Sequence, residues 1–268
     1  MGHYRLGIIP KSRKWTAVVA QVAGSVGEGA TTATLDEDVQ QIAASTLDAA
    51  QQGLEKAVND AGLRHTFFLL TQVVLAAREK DWQERLGHHG IKLTEQSTTF
   101  DLICQVQHAV DAHLAGKRFS TDISEMAQRA AGESLAALAE PRTASLFGEG
   151  DGGLQATLRE LSTKAGFARL GQKFFGRFLT RYLNFFLSRV TAGHAGSPRL
   201  QQIGDLTRFN DALALHCEQS ALVVRTFCGD WYSKTQFQEG ITSQNSARFM
   251  AVALAKLKAE LAQQGAEA

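Results

Sequence analysis

The sequence predicts an all-α protein of about nine or ten helices, built as one bundle-like domain or two packed helical halves. Three observations carry that expectation. Only three prolines, Pro10, Pro141 and Pro198, interrupt 268 residues, and each stands where a helix would begin or end. Alanine-rich windows with Leu, Gln, Glu and Arg favour helix by intrinsic propensity. Apolar residues recur at helical spacing through most of the chain, as in helices buried along one face. A hydrophobic content of 44% with 21% charged residues excludes a disordered composition.

In chain order, Tyr4 to Pro10 read as an extended lead-in, after which Ser12 caps a helix with Trp15, Val18, Val19 and Val22 on one face. A strand through Thr16 to Val22 is the competing reading. Gly24 and Gly29, followed by Thr31, have the spacing of a phosphate loop, but Ala30 stands where that motif needs Lys, so the stretch reads as a connector. Leu35 to Asn59 form a helix with acids in its first turn, ended by Gly62. Leu63 to Lys80 are apolar on most faces and predict a nearly enclosed helix, with Trp82 in the link after it and His88 and His89 in a solvated turn.

Ser97 to Leu114 and Ser120 to Ala139 predict two more helices, each opened by Ser or Thr caps, with Pro141 closing the second. Cys104, His108 and Asp111 share a face of the first, but one helix seldom completes a coordination shell. They read as a polar seam, and no metal or cofactor is expected. Residues 146–153 are rich in glycine and acid and read as a linker between an N-terminal half, 1–145, and a C-terminal half, 154–268. The split separates charge, at net −3 for 1–145 and net +4 for 146–268.

The C-terminal half is dominated by Lys164 to Arg199. No acidic residue lies between Glu160 and Asp205, and six of the fifteen Phe residues fall here. Arg169, Lys173, Arg177 and Arg181 follow one another at four-residue spacing, with Arg189 and Arg199 beyond, while Phe167, Phe174, Phe175, Phe178, Tyr182 and Phe186 take the opposite arc. Repeated like charges at this spacing are unfavourable unless carboxylates of the same fold, a partner or phosphates answer them. The remaining helices span Leu200 to about Ser233 and Thr242 or Ser243 to Leu261. In the segment Gly229 to Gly240, where the first of these gives way to the second, Trp231, Tyr232, Lys234 and Phe237 suggest an aromatic binding loop or an aromatic corner under the last helix.

Three cysteines without paired spacing suggest neither a disulfide framework nor a zinc knuckle. With no apolar leader at the N-terminus and no run long enough to span a membrane, the expected location is cytoplasmic. No motif specifies a reaction. The expected function is a non-catalytic scaffold or adaptor that binds protein partners, with self-association admitted. A nucleic-acid-binding component using the basic face is the alternative. An enzyme built from scattered residues, with Asp111, His108, Asp211, Arg208 and His216 as candidates, comes third.

Overall fold

A computed structural model of the chain describes residues 2–4, 12–24, 35–116, 119–143, 153–197 and 200–267. Twelve helices and two three-residue strands are found among the described residues. The all-α expectation therefore holds, with more helices than the nine or ten expected. In order they are β1 (Gly2–Tyr4), α1 (Arg13–Ala23), α2 (Leu35–Ala49), α3 (Gln51–Ala57), α4 (Ala61–Ala76), α5 (Trp82–Gly87), α6 (Thr99–Ala115), β2 (Phe119–Thr121), α7 (Asp122–Thr143), α8 (Gly153–Leu161), α9 (Lys164–Gly193), α10 (Ile203–Ser220), α11 (Leu222–Gln238) and α12 (Ser243–Glu267). The strands pair in parallel, Gly2 opposite Phe119. The phosphate-loop-like segment falls on 25–34 and most of the glycine-rich linker on 144–152, so both lie outside the described residues.

Capping explains several boundaries. The Ser12 side chain accepts from the Trp15 N–H at 3.2 Å, starting α1 as a helix rather than a strand. Thr98 and Asp101 form a reciprocal capping box at the start of α6. Asp60 caps α4, taking the Leu63 N–H at 2.8 Å, and its second oxygen accepts from the Thr121 hydroxyl at 2.6 Å. Gly62 therefore does not end a helix. It sits inside the first turn of α4, where an added Cβ would lie 2.1 Å from the Ser124 Cβ of α7.

Two helices expected to be continuous are broken. At Ala50 (φ −102°, ψ 14°) the run from Leu35 divides. The Ala50 carbonyl turns from its helical partner to the Gly53 N–H at 2.9 Å and the Tyr182 hydroxyl at 2.6 Å. At Ala221 the second long helix bends, its carbonyl shared between the Val224 and Arg225 N–H groups at 3.0 and 3.3 Å. The bend lets α10 pack on α9 and α2 while α11 packs on α9 and α12. Trp82, expected in a link, opens α5 and is buried, and α7 runs two residues past Pro141.

The core is organised on α9. Seventeen of its thirty residues are buried, and it packs against α7, α10 and α11 with smaller contacts to α8, α2 and α1. Buried residues from both sides of the glycine-rich stretch, Trp15 to Leu261, belong to one hydrophobic cluster. At its centre Phe67 of α4 has ring centroids of Phe167, Phe174, Phe175, Trp231 and Phe249 within 5.4 to 6.2 Å. Each such ring stabilises the fold by about 1.5–3 kcal/mol relative to exposure. Carbonyls of the turn that follows α4 are satisfied from α8, where Gln155 Nε2 donates to Ala77 and Glu79 at 3.1 and 2.8 Å and Arg159 Nη2 to Arg78 at 3.2 Å.

Close approach of α9 and α11 requires glycine from both. A Cβ on Gly171 would meet Cys228 Sγ at 2.5 Å, and one on Gly229 would meet the Lys164 carbonyl at 2.5 Å. The expected aromatic loop is consequently a helix. Gly229 does not open a turn there but lets α11 lie on α9.

Two substitutions test this packing. Gly229→Ala places a methyl against a backbone oxygen and should cost about 1–3 kcal/mol in urea unfolding. Tyr182→Phe, which removes only the hydroxyl bonded to Ala50, should cost about 1 kcal/mol, and an unchanged midpoint would remove that bond's role at the helix break.

Candidate functional site

The sequence singles out the outer face of α9, and the structure turns that face into the floor of a groove. Two adjoining hollows of about 480 and 340 Å³ share Arg181 and Asn184. The first is lined by α7, α9 and α10 residues including Glu133, Lys173, Arg177, Leu215 and Glu218. The second continues along α7 and α9 past Met126, Arg129 and Phe185.

The cations of the floor already face carboxylates of the same chain. Lys173 pairs with Glu218, and Glu133 takes both Arg181 and Arg177, the latter at 3.4 Å. Burial, reinforced by the neighbouring Arg129, pulls the Arg181 guanidinium below its ordinary value. Even so, Arg177 Nε, Arg181 Nε and Asn184 Oδ1 are buried with no hydrogen-bond partner among the described residues. Leu215, 55% exposed, stands on the α10 rim. The groove thus offers partly exposed cationic side chains, their carboxylates and an apolar rim in one place.

Of the other basic-face residues, Arg169 and Arg189 are exposed, outside the lining of either hollow, and Arg199 lies outside the described residues. The aromatic set is dispersed. Tyr232 is fully buried, stacked on Phe167 at 4.1 Å and bonded from Arg78 Nη2 at 3.2 Å. Trp231 stacks on Phe249 at 4.2 Å. Lys234 and Phe237 are exposed, Phe237 at 92%. The corner under the last helix describes Trp231 and Tyr232, and only Lys234 and Phe237 remain at the surface.

The scattered enzyme candidates do not converge. His108 and Asp211 are exposed, Asp111 accepts from Gln128 at 3.0 Å, and Arg208 contacts Asp205 one turn away at 3.3 Å. None of the five lines any hollow described. Burial pushes the Cys217 thiol up to about 12, so it is protonated rather than nucleophilic. No group of three or more His, Cys, Asp or Glu among the described residues is placed to hold a metal ion, and no described helix is long and apolar enough to cross a membrane.

Sequence reasoning missed Glu133, Arg129, Asn184 and Leu215. Glu133 left a faint signal as an isolated acid within the alanine-rich stretch Ala130 to Ala139. Nothing in the sequence indicated which helix it would face. No family model, curated protein or solved structure matches this chain.

His216 adds a pH-dependent element beside the groove. It is buried on α10, its Nε2 has no partner among the described residues, and burial holds its pKa below the ordinary imidazole value. The folded chain resists the proton that the unfolded chain accepts near pH 6.5. Stability is therefore full above about pH 6.5 and falls as pH drops toward the lower folded pKa. His216→Leu should flatten that fall in urea titrations repeated at several pH values; an identical slope in the variant would assign it elsewhere, His89 being another histidine lowered by burial.

Proposed function

We propose that the chain is a non-catalytic helical scaffold subunit that binds a protein partner through the groove over α9. The observation that supports this reading is the combination within one groove of the partly exposed Lys173, Arg177 and Arg181 beside the exposed Leu215. A protein segment carrying carboxylate or carbonyl acceptors for the cations and one apolar side chain for the rim meets both.

The nucleic-acid alternative fits this geometry less well. Glu133 and Glu218 lie among the cations, so a phosphate backbone following the stripe would meet two carboxylates. The stem of each cation is also partly covered, with side-chain exposures of 30%, 34% and 29% for Lys173, Arg177 and Arg181. These are side chains used inward as much as outward.

Photo-crosslinking from position 215, with position 80 as a distant control, should capture one partner that Arg181→Glu and Leu215→Arg both release. In parallel, short RNA, single-stranded DNA and duplex DNA should show no steep salt-dependent binding. Tight binding abolished by Lys173→Glu, Arg177→Glu and Arg181→Glu together in a folded protein would instead make nucleic acid the ligand.

A further inference from the structure

The largest hollow described lies away from the α9 groove. It has a volume of about 580 Å³ and is bounded by the turn before α4, by α4 and α6, and by the start of α12. Its charged and titratable lining is Arg64, His65, His113 and Arg248, joined by Asn59 and Gln244. No carboxylate lines it among the described residues. In a chain of net charge +1 whose other cationic face is answered by Glu133 and Glu218, this separation of sign is distinctive.

We propose that this hollow binds a small phosphorylated molecule through Arg64, Arg248 and the His65–His113 pair. Arg64 is already oriented for the task. Its Nε donates to the Val58 carbonyl at 2.8 Å and its Nη2 to Asn59 Oδ1 at 2.7 Å, which fixes the guanidinium plane. Two of five N–H donors are thereby used and three remain. His65 of α4 and His113 of α6 stack face to face, ring centroids 3.9 Å apart and planes within 9°. This holds two imidazoles together at one wall. Arg248, one turn into α12, is exposed and supplies a second guanidinium.

The lining favours phosphate over carboxylate, because donors reach the hollow from three helices rather than from one plane, as a tetrahedral oxyanion requires. Ser243 and Gln244 lie in the first turn of α12, where N–H groups lack intrahelical acceptors, and they add to the positive potential of the side chains. The volume falls in the range of small-molecule pockets. Four cationic or titratable groups confined to one hollow suit a compact ligand better than a polymer, whose phosphates would need a track of cations.

Isothermal titration with pyrophosphate as the probe tests the proposal. The expected result is one saturable site, weakened about tenfold or more by Arg248→Glu and by His113→Gln, and unchanged by Lys80→Glu, an exposed cation outside the hollow. The ring C–H resonances of His65 and His113 should shift along the same isotherm. A tricarboxylate of similar charge provides the comparison and should bind more weakly. Absence of saturable binding, equal weakening by Lys80→Glu, still ring resonances, or tighter binding of the tricarboxylate would each overturn it. The α9 groove plays no part in this test, so either reading can fail alone.

Discussion

A helix buried over more than half its residues while carrying a row of cations on its remaining face packs more favourably where other helices bring carboxylates to it. That preference of α9 shapes its surroundings. The aromatic arc draws in α4, α11 and α12 around Phe67, and the basic arc is met by Glu133 from α7 and Glu218 from α10. Hydrophobic burial supplies the larger share of stability, since partly exposed ion pairs contribute little individually. Their role is to make the cationic face compatible with close neighbours. The same pairs leave the groove nearly neutral, which bears on what can occupy it.

Much of the fold was legible because periodicity is local. The opposed basic and aromatic arcs of α9, the Ser12 cap and the Ser or Thr cap of α6 follow from residues a turn or two apart. The breaks were not legible, because alanine carries no break signal. Ala50 diverts its carbonyl to Gly53 and to Tyr182, and the latter lies 132 positions away in sequence. At Ala221 the bend reflects two sets of packing partners rather than any residue at the bend. Gly62 misled for a related reason: it looks like a terminator in one dimension, whereas it answers a neighbouring helix that only the fold brings near.

The candidate sites divide in the same way. The row Arg169, Lys173, Arg177, Arg181 was readable as a face, but Glu133, Asn184 and Leu215, which turn the middle of that face into a groove, come from helix packing or from residues without a pattern. The hollow holding Arg64, His65, His113 and Arg248 draws on three helices, so the sequence shows only isolated basic residues there. Convergence of this kind is a property of tertiary contacts, which helical spacing does not encode.

The crossing of α9 on α11 carries the Lys164–Asp230 ion pair, but absent atoms set its register. Two helices joined by side-chain hydrogen bonds can slide and re-form them a turn away, but a pair seated glycine to neighbour has one register, because every displacement brings a side chain where only a hydrogen fits. Tyr232 rides on this seat, stacked on Phe167 and touched by Arg78, whose own backbone carbonyl receives Arg159 from α8. The crossing therefore acts as a keyed joint: it indexes four helices to one another, and drift of the sequence at Gly171 or Gly229 would be read out at the far end of α4.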